Sequence, residues 1–136
     1  MEEFVWPVRV YYEDTDAVGV VYYANYLKYM ERARTEWLRS LGFEQDRVRD
    51  EDGVVFAVRR VEVDCLRTAR FNEQLECWVR LAGRRRASLV FDQEVRRAGD
   101  GEVVARGQVK VACLDAEQLR PAAIPERMVR EIPHVE

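Results

Sequence analysis

The chain has 136 residues, 48% hydrophobic and 35% charged, enough apolar side chain to bury a core, which excludes a disordered protein. Its 22 basic and 25 acidic side chains leave a formal charge of −3, so no general pull toward nucleic acid or an anionic membrane is expected. The single histidine, His134, sits near the chain end in a proline-flanked stretch, and Ser40 and Ser88 are the only serines, which argues against Ser-His, Cys-His and most zinc chemistry.

Val8–Glu13 (VRVYYE) alternates, with Val8, Val10 and Tyr12 on one face, and reads as a first strand. A turn-like stretch, Asp14–Gly19, leads into one long helical pattern. From about Tyr22 to Leu41, apolar side chains recur at 23, 26, 27, 30, 33, 37, 38 and 41. Gly42 follows as the residue that takes a left-handed helix end without strain. Lys28, Arg32, Glu36 and Arg39 mark the opposite face, with Arg32/Glu36 and Glu36/Arg39 at pairing distance.

After residue 53 the pattern is that of a sheet. Val54, Phe56 and Val58 share one parity and Val61, Val63 and Cys65 the other, which predicts a bulge near Arg59–Arg60. Leu75–Leu81, Leu89–Val95 and Val103–Cys113 alternate in turn. Ala82-Gly83-Arg84 and Gly99-Asp100-Gly101 read as hairpin connections. The order is β-α-β-β-β-β, with a tail punctuated by Pro121, Pro125 and Pro133. One helix against several antiparallel strands is an α+β fold in a single domain, residues 1–136. The far face of the sheet needs a cover, and a second copy is the economical one, so a dimer at least is expected.

Cys65, Cys77 and Cys113 show no CxxC spacing and read as buried free thiols in a reducing compartment. The first residues, MEEFVWPVRV, do not resemble a secretory signal, and no apolar run approaches the ~18–20 residues of a membrane span. A cytoplasmic protein without membrane insertion is the expectation. Trp6, Trp37 and Trp78 fall at core-like positions.

Carboxylates and backbone dipoles are left to carry catalysis, and one stretch gathers them. Tyr12–Tyr26, YEDTDAVGVVYYANY, sets Glu13, Asp14 and Asp16 between a strand end and a helix start. The first N–H groups of a helix lack partners and lie at the positive end of its dipole. They can polarise a carbonyl and hold the oxyanion formed when it is attacked. An upstream carboxylate can then act as nucleophile or activate water. Acidic residues before a helix are also ordinary caps, worth about 1 kcal/mol. Spacing leaves both readings open.

The stretch Asp14–Gly42, DTDAVGVVYYANYLKYMERARTEWLRSLG, resembles the signature of the 4-hydroxybenzoyl-CoA thioesterase family, nearest its YbgC-like acyl-CoA thioesterase branch. The resemblance runs on through Arg67–Leu81, Arg84–Arg97 and Ala112–Met128. Its most specific part is D-x-D-x-x-G-V-V-Y-x-x-x-Y. It implies a hotdog fold, a curved antiparallel sheet wrapped around one long helix, assembled as a homo-oligomer: a dimer of hotdogs, commonly paired into a tetramer, with each site at a subunit interface. It implies hydrolysis of an acyl-CoA thioester to free acid and CoA, with no metal and no cofactor beyond the coenzyme A of the substrate.

Carried over residue by residue, Asp16 is the nucleophile or general base, and the Tyr23 backbone N–H is the oxyanion donor. Gly19, Val21 and Tyr22 would contact substrate. Arg85, Arg86 and Ser88 would lie near the CoA phosphates, which suit arginine forks, with Arg70 a further candidate. Members of the branch often carry histidine where this chain has Tyr23; the backbone N–H survives that exchange. Some hotdog thioesterases use a carboxylate on the helix itself, but Glu31, followed by Arg32 and Arg34, reads as a salt-bridged helix position. A hotdog that binds acyl-CoA or an acyl-carrier protein without turnover is the alternative.

Overall fold

The computed structural model describes residues 3–135. In chain order the elements are β1 (Phe4–Arg9), α1 (Ala24–Ser40), α2 (Gln45–Asp52), β2 (Val54–Cys65), β3 (Gln74–Arg85), β4 (Ser88–Arg97), β5 (Val103–Asp115) and α3 (Glu126–Glu131). The five strands form one antiparallel sheet in the order β1-β3-β4-β5-β2. α1 packs across its inner face, over β1, β3 and β4. This is the α+β hotdog arrangement.

The inward parity of each strand builds the core. Leu75, Cys77, Val79 and Leu81 of β3 and Leu89, Phe91, Gln93 and Val95 of β4 are all buried. Tyr26, Tyr29, Met30, Ala33, Trp37 and Leu38 of α1 close over them. The helix differs from its sequence pattern in one respect. Tyr23 and Leu27 face solvent, while Tyr29 takes a fully buried place between Tyr26 and Met30. The β2–β5 register slips between Val58 and Arg60, where the parity change predicts a bulge.

Four sequence expectations need correction. The first strand is Phe4–Arg9 rather than Val8–Glu13, because the Asp14 carboxylate accepts the Tyr11 N–H at 2.8 Å and coils Tyr12–Asp14 into a 3-10 turn. Ala82-Gly83-Arg84 is not the β3–β4 turn. The strand slips register between Leu81 and Gly83 and continues to Arg85, so Arg86 and Ala87 make the connection. Cys65 is exposed at the end of β2, and only Cys77 and Cys113 are buried. Burial pushes the Cys77 thiol up to about 12 and the Cys113 thiol up to about 11. Helices α2 and α3 were not expected, because each buries a single side chain, Val48 and Met128, too little for a helical period to show.

The outer sheet face also departs from expectation. It carries a cross-strand ladder of charge: Arg80–Asp92, with Gln108 donating to Asp92, and Glu94 between Arg96 and Arg106. Such a face is satisfied in water, so the argument that it requires a second sheet fails. Trp78 stands half-buried among these side chains with Arg96 over its ring, and Trp6 is half-buried, which leaves Trp37 as the tryptophan within the core. On β2, one of the two edge strands, Val58 and Val61 are 50% and 39% exposed. Among the described residues no helix is long and apolar enough to cross a membrane.

Candidate active site

Between β1 and α1 the chain folds into a short hairpin that explains the DTD spacing. The Tyr22 N–H donates to the Asp14 carbonyl at 2.9 Å, and the Asp16 N–H donates to the Val20 carbonyl at 2.9 Å. Thr15 and Val21 pair between them. Ala17, Val18 and Gly19 form the tip, where the Asp16 Oδ1 accepts the Val18 N–H at 2.9 Å. Gly19 has φ +91°, a conformation that favours glycine, and a Cβ there would meet nothing within 4 Å. Its contribution is backbone shape.

The hairpin is fastened to the sheet and to the helix. The Val21 N–H donates to the Ala69 carbonyl at 2.7 Å, and Val20 pairs with Arg70. The buried Asn25 side chain donates to the Asp14 carbonyl at 2.8 Å, so that one oxygen accepts from both Tyr22 and Asn25. Asn25 was not singled out from sequence; a short polar side chain in the first helical turn, where it favours local backbone bonds, is the signal. Tyr29 presses its buried hydroxyl toward this knot. Burial first, then the neighbouring Asp14, holds that hydroxyl above the usual tyrosine range, and it finds no partner in hydrogen-bond geometry.

Neither aspartate caps α1. The helix has no side-chain cap and no acidic residue in its first turn. Among the described residues the Tyr23 N–H makes no hydrogen bond, while the Asn25 and Tyr26 N–H groups turn back to the Tyr22 and Tyr23 carbonyls. A helix N-terminus with a free donor and no internal anion is equipped to receive an oxygen that gains negative charge. Asp16 is exposed on the hairpin that leads into this helix start, with one carboxylate oxygen used by Val18 and the other without a hydrogen bond among the described residues.

The sequence-derived residues fall into three sets. Asp16, Gly19, Tyr22 and Tyr23 share the hairpin and helix start, with Tyr22 and Tyr23 exposed and their rings 4.9 Å apart. Val21 belongs to the same segment, but its side chain is in the core at 5% exposure. Arg70 lies beside the hairpin through Val20. Arg85, Arg86 and Ser88 form the third set, at the β3–β4 turn. The twelve residues of β3 separate that turn from the Ala69–Arg70 anchor, on the order of 35 Å at about 3.3 Å per residue. Within one chain these arginines do not meet Asp16.

Glu31 differs from its expected role. It is exposed, forms no ion pair among the described residues, and accepts only from the Thr35 hydroxyl at 3.5 Å. On this helix Arg39 carries the ion pairs, to Glu36 at 2.6 Å and Glu44 at 2.9 Å.

Comparison with known proteins agrees with this arrangement. The thioesterase-like superfamily profile matches residues 10–132. The chain is 43% identical over 128 residues to the acyl-CoA thioester hydrolase YbgC of Escherichia coli O6:H1, covering 94% of each chain. It is 38% identical over 132 residues to the acyl-CoA thioesterase YbgC of Haemophilus influenzae, covering 97% of this chain and 96% of that one. A 1,4-dihydroxy-2-naphthoyl-CoA thioesterase from Synechocystis superposes with a TM-score of 0.89 at 21% identity over 96% of both chains, which speaks to the fold. On this match the chain belongs to the thioesterase-like superfamily, in the YbgC-like branch of its hotdog proteins, and is a thioester hydrolase.

Proposed function

We propose that the protein hydrolyses an acyl-CoA thioester at the start of α1, with Asp16 attacking the thioester carbonyl or taking a proton from the water that does. The carbonyl oxygen accepts from the Tyr23 N–H and gains full charge there as the tetrahedral intermediate forms. A single donor of this kind is worth about 10²–10³ in rate. Collapse of the intermediate breaks the C–S bond and expels the CoA thiolate. Thiolate needs little acid assistance, so a site without histidine suffices. If Asp16 is the nucleophile, water then cleaves the acyl–Asp16 anhydride; if it is the base, the acid leaves directly.

One observation carries this reading: the free Tyr23 N–H on an uncapped helix end, reached from a hairpin whose exposed Asp16 carboxylate does not serve as its cap. The family and its YbgC relatives support an acyl-CoA substrate class. A second copy completes the site on this account. The free edge of β2 and its exposed valines offer it a surface. A partner's β3–β4 turn would bring Arg85, Arg86 and Ser88 to the CoA phosphates, consistent with a dimer of hotdogs paired into a tetramer.

The test is thiol release from acetyl-, hexanoyl-, palmitoyl- and benzoyl-CoA by the purified protein. Hydrolysis of one class above background is expected. Folded, oligomeric protein that binds these esters and releases no thiol would replace the enzyme with a binding module.

A further inference from the structure

Two aromatic rings stand stacked in the open next to the hairpin that carries Asp16. Tyr12 and Phe71 have ring centroids 4.3 Å apart and planes 23° apart, yet they are 76% and 46% exposed. The backbone fixes both. Arg70–Glu73 is a four-residue turn in which the Glu73 N–H donates to the Arg70 carbonyl at 3.2 Å. Asn72 occupies its third position at φ +72°, a left-handed conformation that asparagine tolerates, and Phe71 is left on the corner. The Asn72 N–H donates to the Val10 carbonyl at 2.9 Å and the Val10 N–H to the Glu73 carbonyl at 3.0 Å, which ties this turn to the segment entering Tyr12. The Thr15 N–H and hydroxyl both return to the Tyr12 carbonyl, at 3.1 and 2.8 Å. Arg70 also pairs with Val20, so one turn borders both the rings and the hairpin.

Two rings held by backbone and left in water form a platform in which little remains to be ordered when a ligand binds. The charges around it are divided. Arg9 Nη1 donates to the Asn72 carbonyl at 2.9 Å, and Arg9 and Arg70 are exposed and in no ion pair among the described residues. Glu73, the acid of the turn, is instead held by Arg97. Glu13, exposed and next to Tyr12 in the chain, opposes an anion at the Tyr12 ring. The arrangement therefore suits a flat uncharged ring on Tyr12 that carries phosphates toward the Arg9 and Arg70 forks.

We propose that the Tyr12–Phe71 pair is the platform for the adenine ring of CoA, stacked on the open face of Tyr12, with Arg9 and Arg70 turned to its phosphates. The proposal rests on the acyl-CoA reading above and assigns a base contact to that site within one chain. The distance is compatible. Tyr12 lies two residues before Asp14, Asp14 faces Tyr22 across the hairpin, and Tyr23 follows. The Tyr12 and Tyr23 Cα atoms are thus at most about 17 Å apart, at about 3.8 Å per residue and about 5.5 Å across the pair. The extended pantetheine and diphosphate of CoA are longer than that span.

The experiment is calorimetric titration of the full chain with CoA and with 4′-phosphopantetheine, which lacks the adenosine part. The wild type is expected to bind CoA at least fivefold tighter. Tyr12→Ala should weaken CoA by about five- to tenfold, the loss of one base stack, and leave 4′-phosphopantetheine within about twofold. Tyr12→Phe should keep the CoA affinity, because stacking needs the ring and not the hydroxyl. Arg70→Gln should weaken CoA more at low salt than at high salt. Equal affinity of the wild type for the two ligands overturns the proposal, and that arm needs no variant to fold. So does a Tyr12→Ala loss shared by both ligands, the mark of a structural role, or a CoA affinity that Tyr12→Ala leaves unchanged. Thiol release from benzoyl-CoA reports on hydrolysis separately. Release with CoA binding indifferent to Tyr12 removes only the platform; CoA binding through Tyr12 without release from any ester removes only the hydrolysis reading.

Discussion

At the C-terminal end of α1 the backbone closes back on the helix. The Gly42 N–H returns to the Arg39 carbonyl at 2.9 Å and the Phe43 N–H to the Leu38 carbonyl at 3.2 Å, with Gly42 at φ +97°. This double closure satisfies carbonyls the helix cannot, and Arg39 adds a cation at the negative end of the dipole. At the other end the same helix has no cap, no acidic side chain and an unbonded Tyr23 N–H. Two carboxylates stand within reach in sequence, yet Asp14 is spent on Tyr11 and Asp16 on Val18. One end is closed for stability; the other is held open at a stability cost, which is the expected signature of a site that binds its missing partner from solution.

That contrast predicts that changes at the open end move rate and changes at the closed end move stability. Asp16→Asn should have the largest effect, lowering kcat by about 10²–10⁴. Its amide oxygen still accepts the Val18 N–H, so the thermal midpoint should hold; a comparable loss of stability would mean that Asp16 is structural. Tyr23→Asp should slow turnover by about tenfold, equivalent to roughly 1.4 kcal/mol of repulsion against the developing oxyanion. The added carboxylate at the positive end of the dipole should raise stability by about 0.3–1 kcal/mol in a denaturant titration. A faster enzyme would sink the oxyanion assignment. Gly42→Ala at the closed end should cost about 1 kcal/mol through the left-handed conformation it forces, with kcat unchanged. Smallest of all, Tyr29→Phe removes an unpartnered buried hydroxyl and should leave stability unchanged or raise it by up to about 1 kcal/mol. Destabilisation there would show that the hydroxyl bonds Asp14 after all.

The sheet was legible because inward side chains repeat every second residue, so β3, β4 and β5 and even the Val58/Arg60 bulge appear as parity. Gly42 was legible because few residues other than glycine take that conformation readily. The division between Asp14 and Asp16 was not, because both stand before the helix and only the hairpin hydrogen bonds separate the buried one from the exposed one. Tyr29 and Leu27 exchanged places for a similar reason: the apolar stripe is broad, and its edge is set by which strands lie beneath it. The separation of Arg85 and Arg86 from Asp16 is topological, set by the length of β3, and follows only once that strand is seen to run past Gly83 to Arg85.

The most direct test of the open helix end is the carbonyl stretching frequency of a bound aromatic CoA thioester, read by difference infrared spectroscopy on the Asp16→Asn variant, where substrate persists. Donation from the Tyr23 N–H at the positive end of α1 predicts a frequency clearly below that of the same thioester in water. A bound thioester whose carbonyl absorbs at the solution frequency or above would contradict the assignment of this helix terminus as the catalytic electrophile.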